Sequence, residues 1–213
     1  MISIIRGTLI QHIKNNTRTF FILVLAFVIG ISAGAFTVNG LTASQAQELK
    51  HYFSGFLQLY NNQIVDSSEL LKIAVLENTK LVLLLWILGV TIIGVPFIFL
   101  LVGIRGFITG FSSGFIVETM GIKGVLFTLL ALLPKELFIV PCFIALGVSG
   151  INFSQSIVKN RSMKHISKES LKSKFAAYCA VTLFYSCMIF VGILIEAYIT
   201  PVIIRIIIPY ITN

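Results

Sequence analysis

The chain has 213 residues, of which 57% are hydrophobic and only 11% are charged, and its mean hydropathy is +0.98. A soluble protein of this length needs far more charged surface to cover its core. The composition therefore excludes an ordinary soluble fold and predicts an all-α, polytopic helical membrane protein. The formal net charge of +8 lies in two short segments; a nucleic-acid-binding protein would instead carry a basic patch on a folded soluble face, so we expect no nucleic-acid partner.

The two basic segments predict the topology. Residues 1–18 hold three basic residues and no acid, and residues 151–174 hold six basic residues and one acid. Short basic segments beside membrane spans stay in the cytoplasm, so we expect both segments inside and an even number of spans between them. The amino terminus is then inside and, with a fifth span, the carboxyl terminus is outside. Anionic lipid head groups of the inner leaflet are an expected contact of these segments.

The first span is predicted at residues 19–38, long enough for a hydrocarbon core of about 30 Å. Ala33-Gly34-Ala35 resembles a signal-peptidase site. Because apolar sequence continues beyond it and the basic leader is long, we interpret this span as an uncleaved anchor.

Residues 39–80 are predicted to form an extracytoplasmic helical loop. Apolar residues recur there at three- and four-residue steps, which is typical of a helix with one apolar face, and Phe53, Phe56 and Tyr60 lie on that face. A helix this short is not stable alone, so the face must be buried against the membrane surface, the rest of the chain or a partner. We treat it as a candidate partner face. A second helix is expected to begin at Ser67-Ser68 and run into the next span.

The second and third spans are predicted at residues 81–103 and 106–120, with Arg105 at a cytoplasmic turn between them. The third span would cover only about 22 Å at the helical rise of about 1.5 Å per residue. We therefore expect neighbouring helices or local thinning of the bilayer to support it.

The fourth span, residues 122–150, holds charges at Lys135 and Glu136. In a straight helix each charge would lie near mid-bilayer at a cost of at least about 2.5 kcal/mol. We therefore expect the segment to be broken near residue 134, with a half-helix, re-entrant or surface-lying, before a spanning helix that has Pro134 at its first position.

The fifth span is predicted at residues 175–200. Pro201 is expected to stop it and to leave a short apolar tail in the outer interface.

Glycines at four-residue spacing predict close helix packing. The set comprises Gly30, Gly34, Gly106, Gly110 and Gly114. Packing within one chain is the simpler interpretation, and a subunit interface in a homo-oligomer is the alternative.

Ionisable groups within predicted spans are functional candidates by default; they are Arg105, Lys135, Glu136, Glu196 and Arg205. Most fall near a predicted interface, so we expect snorkelling to explain them. The three histidines are far apart, and the sequence contains no His-Glu-x-x-His, Gly-x-Ser-x-Gly or phosphate-loop motif. We expect neither enzymatic activity nor a cofactor or metal.

Several short motifs occur in a recognisable order: Asn78-Thr79-Lys80, Gly89 and Gly94, Arg105-Gly106 with Gly110, Leu133-Pro134 with Pro141, and Ile195-Glu196-Ala197-Tyr198-Ile199-Thr200-Pro201. Across nearly the whole chain this order resembles the stage II sporulation protein M family. Distant relatives carry Asn before the first glycine of the third span and Pro-His-Gly-x-x-Glu-x-Pro in the broken segment. Arg105 and Ile139 depart from those patterns here, as in the sporulation branch.

The resemblance implies a multi-pass membrane anchor in the engulfment machinery of endospore-forming bacteria. It would lie in the mother-cell membrane and scaffold two peptidoglycan-degrading enzymes, stage II sporulation proteins D and P, at the septum. The alternative function is a transporter or channel subunit, and the feature that suggests it is the broken segment with Lys135 and Glu136.

Overall fold

The computed structural model describes residues 16–62, 66–162 and 168–212, which form helices and no strand. The α-helices are α1 (Thr17–Val38), α2 (Ala43–Asn62), α3 (Ser67–Val90), α4 (Gly94–Met120), α5 (Ile122–Phe127), α6 (Leu133–Ser162), α7 (Lys168–Leu194) and α8 (Thr200–Thr212). Two five-residue π-helical turns, Thr128–Leu132 and Ile195–Ile199, join α5 to α6 and α7 to α8.

Five helical stretches within these residues are long and apolar enough to cross a membrane: Thr17–Val38, Ser67–Val90, Gly94–Met120, Ile122–Lys159 and Lys172–Tyr210. The predicted all-α membrane fold with five spans is thereby confirmed. Helix α2 is not among them, because its residues are apolar on one side only.

Helices α1 and α4 run parallel and meet through small residues. A Cβ atom at Gly106 would clash with the carbonyl oxygen of Phe27, and one at Gly110 with that of Ile31. The pairs advance together along both helices, which makes the helices parallel and requires α3 to return between them. The remaining predicted packing glycines face the same interface: Gly30 meets Gly103, Gly34 meets Phe107, and Gly114 meets Ala35. These glycines therefore pack helices within one chain.

The boundary predicted at Arg105 is wrong, because α4 is continuous through it and the break lies at residues 91–93. The Thr91 hydroxyl donates to the Leu88 carbonyl at 2.8 Å and so closes the end of α3. A Cβ atom at Gly94 would clash with that same carbonyl, so the turn needs glycine. Arg105 does not need to lie at the membrane surface, because its charge is paired with that of Glu136 inside the bundle. Since α4 runs from Gly94 to Met120, the third span is also not short.

Helix α3 begins at Ser67, as expected, where the Asp66 carboxylate accepts a hydrogen bond of 2.8 Å from the Ser68 N–H. It continues without interruption to Val90. Residues 67–80, predicted to lie in the outer loop, are thus part of a candidate span.

The prolines at 134 and 201 do not end their helices. In each π-helical turn the last N–H donates five residues back, from Leu133 to Thr128 and from Thr200 to Ile195, and the next residue is the proline. A proline ring clashes with the carbonyl four residues before it in a regular α-helix, and the wider π turn relieves that clash. The predicted separate half-helix and the predicted stop at Pro201 are therefore wrong, and both helical paths continue.

The predicted basic loop is also largely helical, since α6 extends to Ser162 and α7 begins at Lys168. Residues 163–167 of this loop, and residues 1–15 of the first basic segment, lie outside the described residues.

The bundle has two apolar cores. The larger one joins α1, α3, α4, α6 and α7 around Leu23, Leu85 and Ile98. The smaller one lies at the end of the bundle that α2 and α8 cover, around Ile116, Phe127, Ala131 and Ile204. We call this the α2 end; the charged side chains described next lie between the two cores.

Candidate functional site

Arg105 and Glu136 form an ion pair across the interface of α4 and α6. The Arg105 Nη2 lies 3.0 Å from Glu136 Oε1 and 3.3 Å from Oε2. The two side chains are only 17% and 16% exposed. Because one nitrogen serves both carboxylate oxygens, the Nε–H of Arg105 has no acceptor among the described residues. Glu136 is therefore the counter-ion that balances the positive charge of Arg105 inside the bundle.

Lys135 and Glu196 form a second ion pair, between the first turn of α6 and the π-helical turn that follows α7. Lys135 and Glu136 are consecutive, so the two pairs make a line of alternating charges across α4, α6 and α7. Its formal charges cancel. We call Arg105, Glu136, Lys135 and Glu196 the charged layer.

The charged layer lies within the bundle rather than at its ends. Arg105 is about 16 Å along α4 from Gly94 and about 22 Å from Met120, at about 1.5 Å per residue. The expectation that these residues snorkel to an interface is therefore wrong for these four, which pair with one another. Pairing with an opposite charge is the usual way in which a membrane interior tolerates ionised groups.

Both π-helical turns border the charged layer, one just before Lys135 and the other around Glu196. A π turn adds a residue to the helical register, and so it changes which side chains face the bundle. Such turns are frequent at functional sites. Here the two side chains that they border, Lys135 and Glu196, form an ion pair.

A cavity of about 370 Å³ lies between the charged layer and α2. Its polar lining includes Lys135, Glu196, Glu77 and Tyr60, and its apolar lining includes Phe53 and Phe56. We call it the α2 cavity. Burial raises the pKa of the Tyr60 hydroxyl above its ordinary value, and the nearby Glu196 carboxylate raises it further.

The predicted partner face on α2 is divided by the structure. Phe53 packs edge-on against Phe115 and Phe127, with ring centroids 6.2 and 6.0 Å apart, and Tyr60 is buried in the smaller core. These two side chains are covered by the chain's own helices, one of the alternatives that the sequence left open. Phe56 is 38% exposed, and its ring lies tilted against that of Tyr60 with centroids 4.6 Å apart.

Tyr178 is a structural residue that the sequence reasoning missed. Its hydroxyl donates to the Trp86 carbonyl at 3.1 Å, and its ring stacks on Phe153 at 4.8 Å. The hydroxyl fits there because Gly89 has no side chain. A tyrosine in an apolar span opposite a glycine was the available signal.

In the part of the chain that the structure describes, no group of three or more His, Cys, Asp or Glu side chains could hold a metal ion.

The family model described as stage II sporulation protein M matches residues 11–201. No curated protein and no solved structure matches the chain significantly. The matched region covers most of the chain and includes every residue of the charged layer. The chain is therefore a multi-pass, sporulation-related membrane protein that belongs to the stage II sporulation protein M family.

Proposed function

We propose that this protein is the membrane scaffold of the engulfment complex, which holds peptidoglycan hydrolases at the septum while the wall is thinned and the membrane migrates. Membership of the family supports a sporulation-related membrane protein. In the proposal the hydrolases are stage II sporulation proteins D and P, and the scaffold lies in the mother-cell membrane. The wall chemistry belongs to these partners, and the chain itself is not an enzyme.

An exposed apolar stripe on α2 is the observation that carries the proposal. Tyr52, Phe56 and Leu59 recur at steps of four and three residues and are 69%, 38% and 53% exposed. Helix α2 is not a candidate span, so the stripe does not face lipid along a membrane crossing, as the apolar residues of the spans do. Large exposed apolar side chains on such a helix are typical of an interaction surface.

The stripe borders a groove between α2 and α4. The groove has a volume of about 310 Å³, and aromatic side chains of both helices line it, among them Tyr52, Phe111 and Phe115. Aromatic side chains are enriched at protein interfaces because they bury a large area at low entropic cost. Since the charge rule predicts α2 on the outer side, where the wall lies, this groove and stripe suit a hydrolase.

The test replaces Tyr52 and Leu59, which are exposed and lie outside the α2 cavity. The double variant Tyr52→Asp with Leu59→Asp should insert and accumulate normally, because neither side chain is buried, while hydrolases no longer co-purify from sporulating cells. The matched control is Gln47→Asp with Gln58→Asp, which adds the same charge on the polar side of α2 and should retain the partners. Normal recovery of both hydrolases with the stripe variant would contradict docking through this surface. The membrane surface would then be the contact of the stripe.

A transporter or channel subunit is the second candidate, and the buried charged layer is the observation that favours it. Transport would need a polar path through the bilayer. On the side of the charged layer away from α2, the bundle is filled by Leu23, Ile98 and Val102, none of which is exposed. We therefore favour the scaffold.

A further inference from the structure

The α2 cavity has the composition of a small-molecule site. Such sites are concave, occupy about 300–1,000 Å³, and combine apolar or aromatic walls with a few polar groups. The α2 cavity, at about 370 Å³, has walls that include Phe53, Phe56 and Tyr60, and charged groups at Lys135, Glu196 and Glu77.

The charges of this cavity do not balance. Lys135 is paired with Glu196, and Glu136, on the other side of Lys135, is paired with Arg105. Glu77 is exposed and has no ion-pair partner among the described residues. One carboxylate of the lining is thus left without a counter-charge, and a single positive charge from a ligand would complement it.

The aromatic wall identifies the kind of cation. The Phe56 and Tyr60 rings lie 4.6 Å apart, and Phe53 stands 6.3 Å from Phe56 in a stacked arrangement. Ring faces attract ammonium groups within about 6 Å of their centroids and also bury apolar carbon. A hydrated metal ion would gain little from such a wall, whereas an organic ammonium ion gains from both its charge and its stem.

We propose that the α2 cavity binds a small organic monocation, an ammonium group on an apolar stem, with the charge at Glu77 and the stem against the rings of α2. Burial, and then the nearby Glu196 carboxylate, raise the pKa of Tyr60, which accords with a cavity wall that is shielded from water at this hydroxyl. This site shares Phe56 with the exposed stripe of α2, but Tyr52 and Leu59, the two stripe residues that the docking test replaces, do not line it.

The test uses the full chain purified in a neutral detergent, with phenethylammonium as the probe and 2-phenylethanol as its uncharged counterpart. Calorimetric titration should give the ammonium compound an affinity about fivefold higher than that of the alcohol, the upper value expected for an ion pair with an exposed carboxylate. Glu77→Gln should remove about the same factor. Glu69→Gln, which removes an exposed acid from the first turn of the same helix outside the cavity, should leave the affinity unchanged.

A second variant tests the wall separately. Phe56→Leu keeps an apolar side chain but removes a ring that the stem contacts, so it should weaken the binding of both compounds several-fold and preserve the preference for the ammonium compound. Equal affinity for the two compounds in the wild-type protein, or an unchanged affinity for phenethylammonium in the Glu77→Gln protein, would overturn the proposal.

Discussion

Arg105 and Glu136 hold α4 against α6, with the guanidinium Nη2 3.0 Å from the carboxylate Oε1 and both side chains more than four-fifths buried. Neither residue has another ion-pair partner among the described residues. The stability of the bundle should therefore depend on the pair as a unit.

Breaking this pair on one side should be more harmful than removing it. Glu136→Gln leaves an uncompensated buried guanidinium, and such a loss costs about 3–5 kcal/mol. The double variant Arg105→Met with Glu136→Leu leaves no charge and should recover most of the folded yield. Thermal unfolding in detergent measures both. A double variant as unstable as the single one would show that the pair is not what limits stability.

The close contact of α1 and α4 makes a second prediction. Gly110→Ala should lower the thermal stability, because its Cβ atom meets the Ile31 carbonyl and overpacking costs about 1–3 kcal/mol. The control is Gly55→Ala on α2, where nothing lies within 4 Å of the new atom. Alanine is the better helix former there by about 1 kcal/mol, so that variant should be neutral or more stable. Equal stability of the two variants would remove the packing role of Gly110.

The glycine contacts and the number of spans could be predicted from sequence because both depend on local composition. The ion-pair partner of Arg105 could not be predicted from the sequence. Glu136 is distant in sequence, and the side it faces depends on the π-helical turn at Thr128–Leu132. Pro134 predicts a break, whereas in the structure it follows the turn at which the helix widens and continues. Similarly, the turn at residues 91–93 lies in sequence that is apolar apart from Thr91, and its local signals are Thr91, Gly94 and Pro96.

The raised pKa of Tyr60 predicts that the stability of the protein depends on pH. Burial first, and then the Glu196 carboxylate, raise the pKa of its hydroxyl above the ordinary value of about 10. The folded state thus favours the neutral phenol, so this stabilisation is complete below about pH 10 and is lost as the pH rises through the higher pKa of the folded protein. Tyr60→Phe should lose less stability than the wild type between about pH 9 and pH 11, measured by thermal unfolding. Parallel loss in the two proteins would contradict this role for Tyr60.

The predicted orientation can be tested by cysteine labelling in a chain whose three cysteines have been replaced. A cysteine at Ser44, in the first turn of α2, should react with a membrane-impermeant maleimide in intact cells. One at Ser173, near the start of α7, should react only after the membrane is opened, because basic segments remain inside. Both positions are exposed in the protein, and reaction at Ser173 once the membrane is opened shows that its failure to label in intact cells reports sidedness. Labelling of both from the same side would contradict the alternation of spans.

The proposed scaffold role is tested most directly by where the hydrolases go in living sporangia that lack this protein. Fluorescent fusions of stage II sporulation proteins D and P should leave the septum and spread over the mother-cell membrane, and septal thinning should stop. Wild-type protein should restore both, as should the control Gln47→Asp with Gln58→Asp, whereas Tyr52→Asp with Leu59→Asp should restore neither. Hydrolases that remain at the septum and thin it without this protein would contradict the scaffold account.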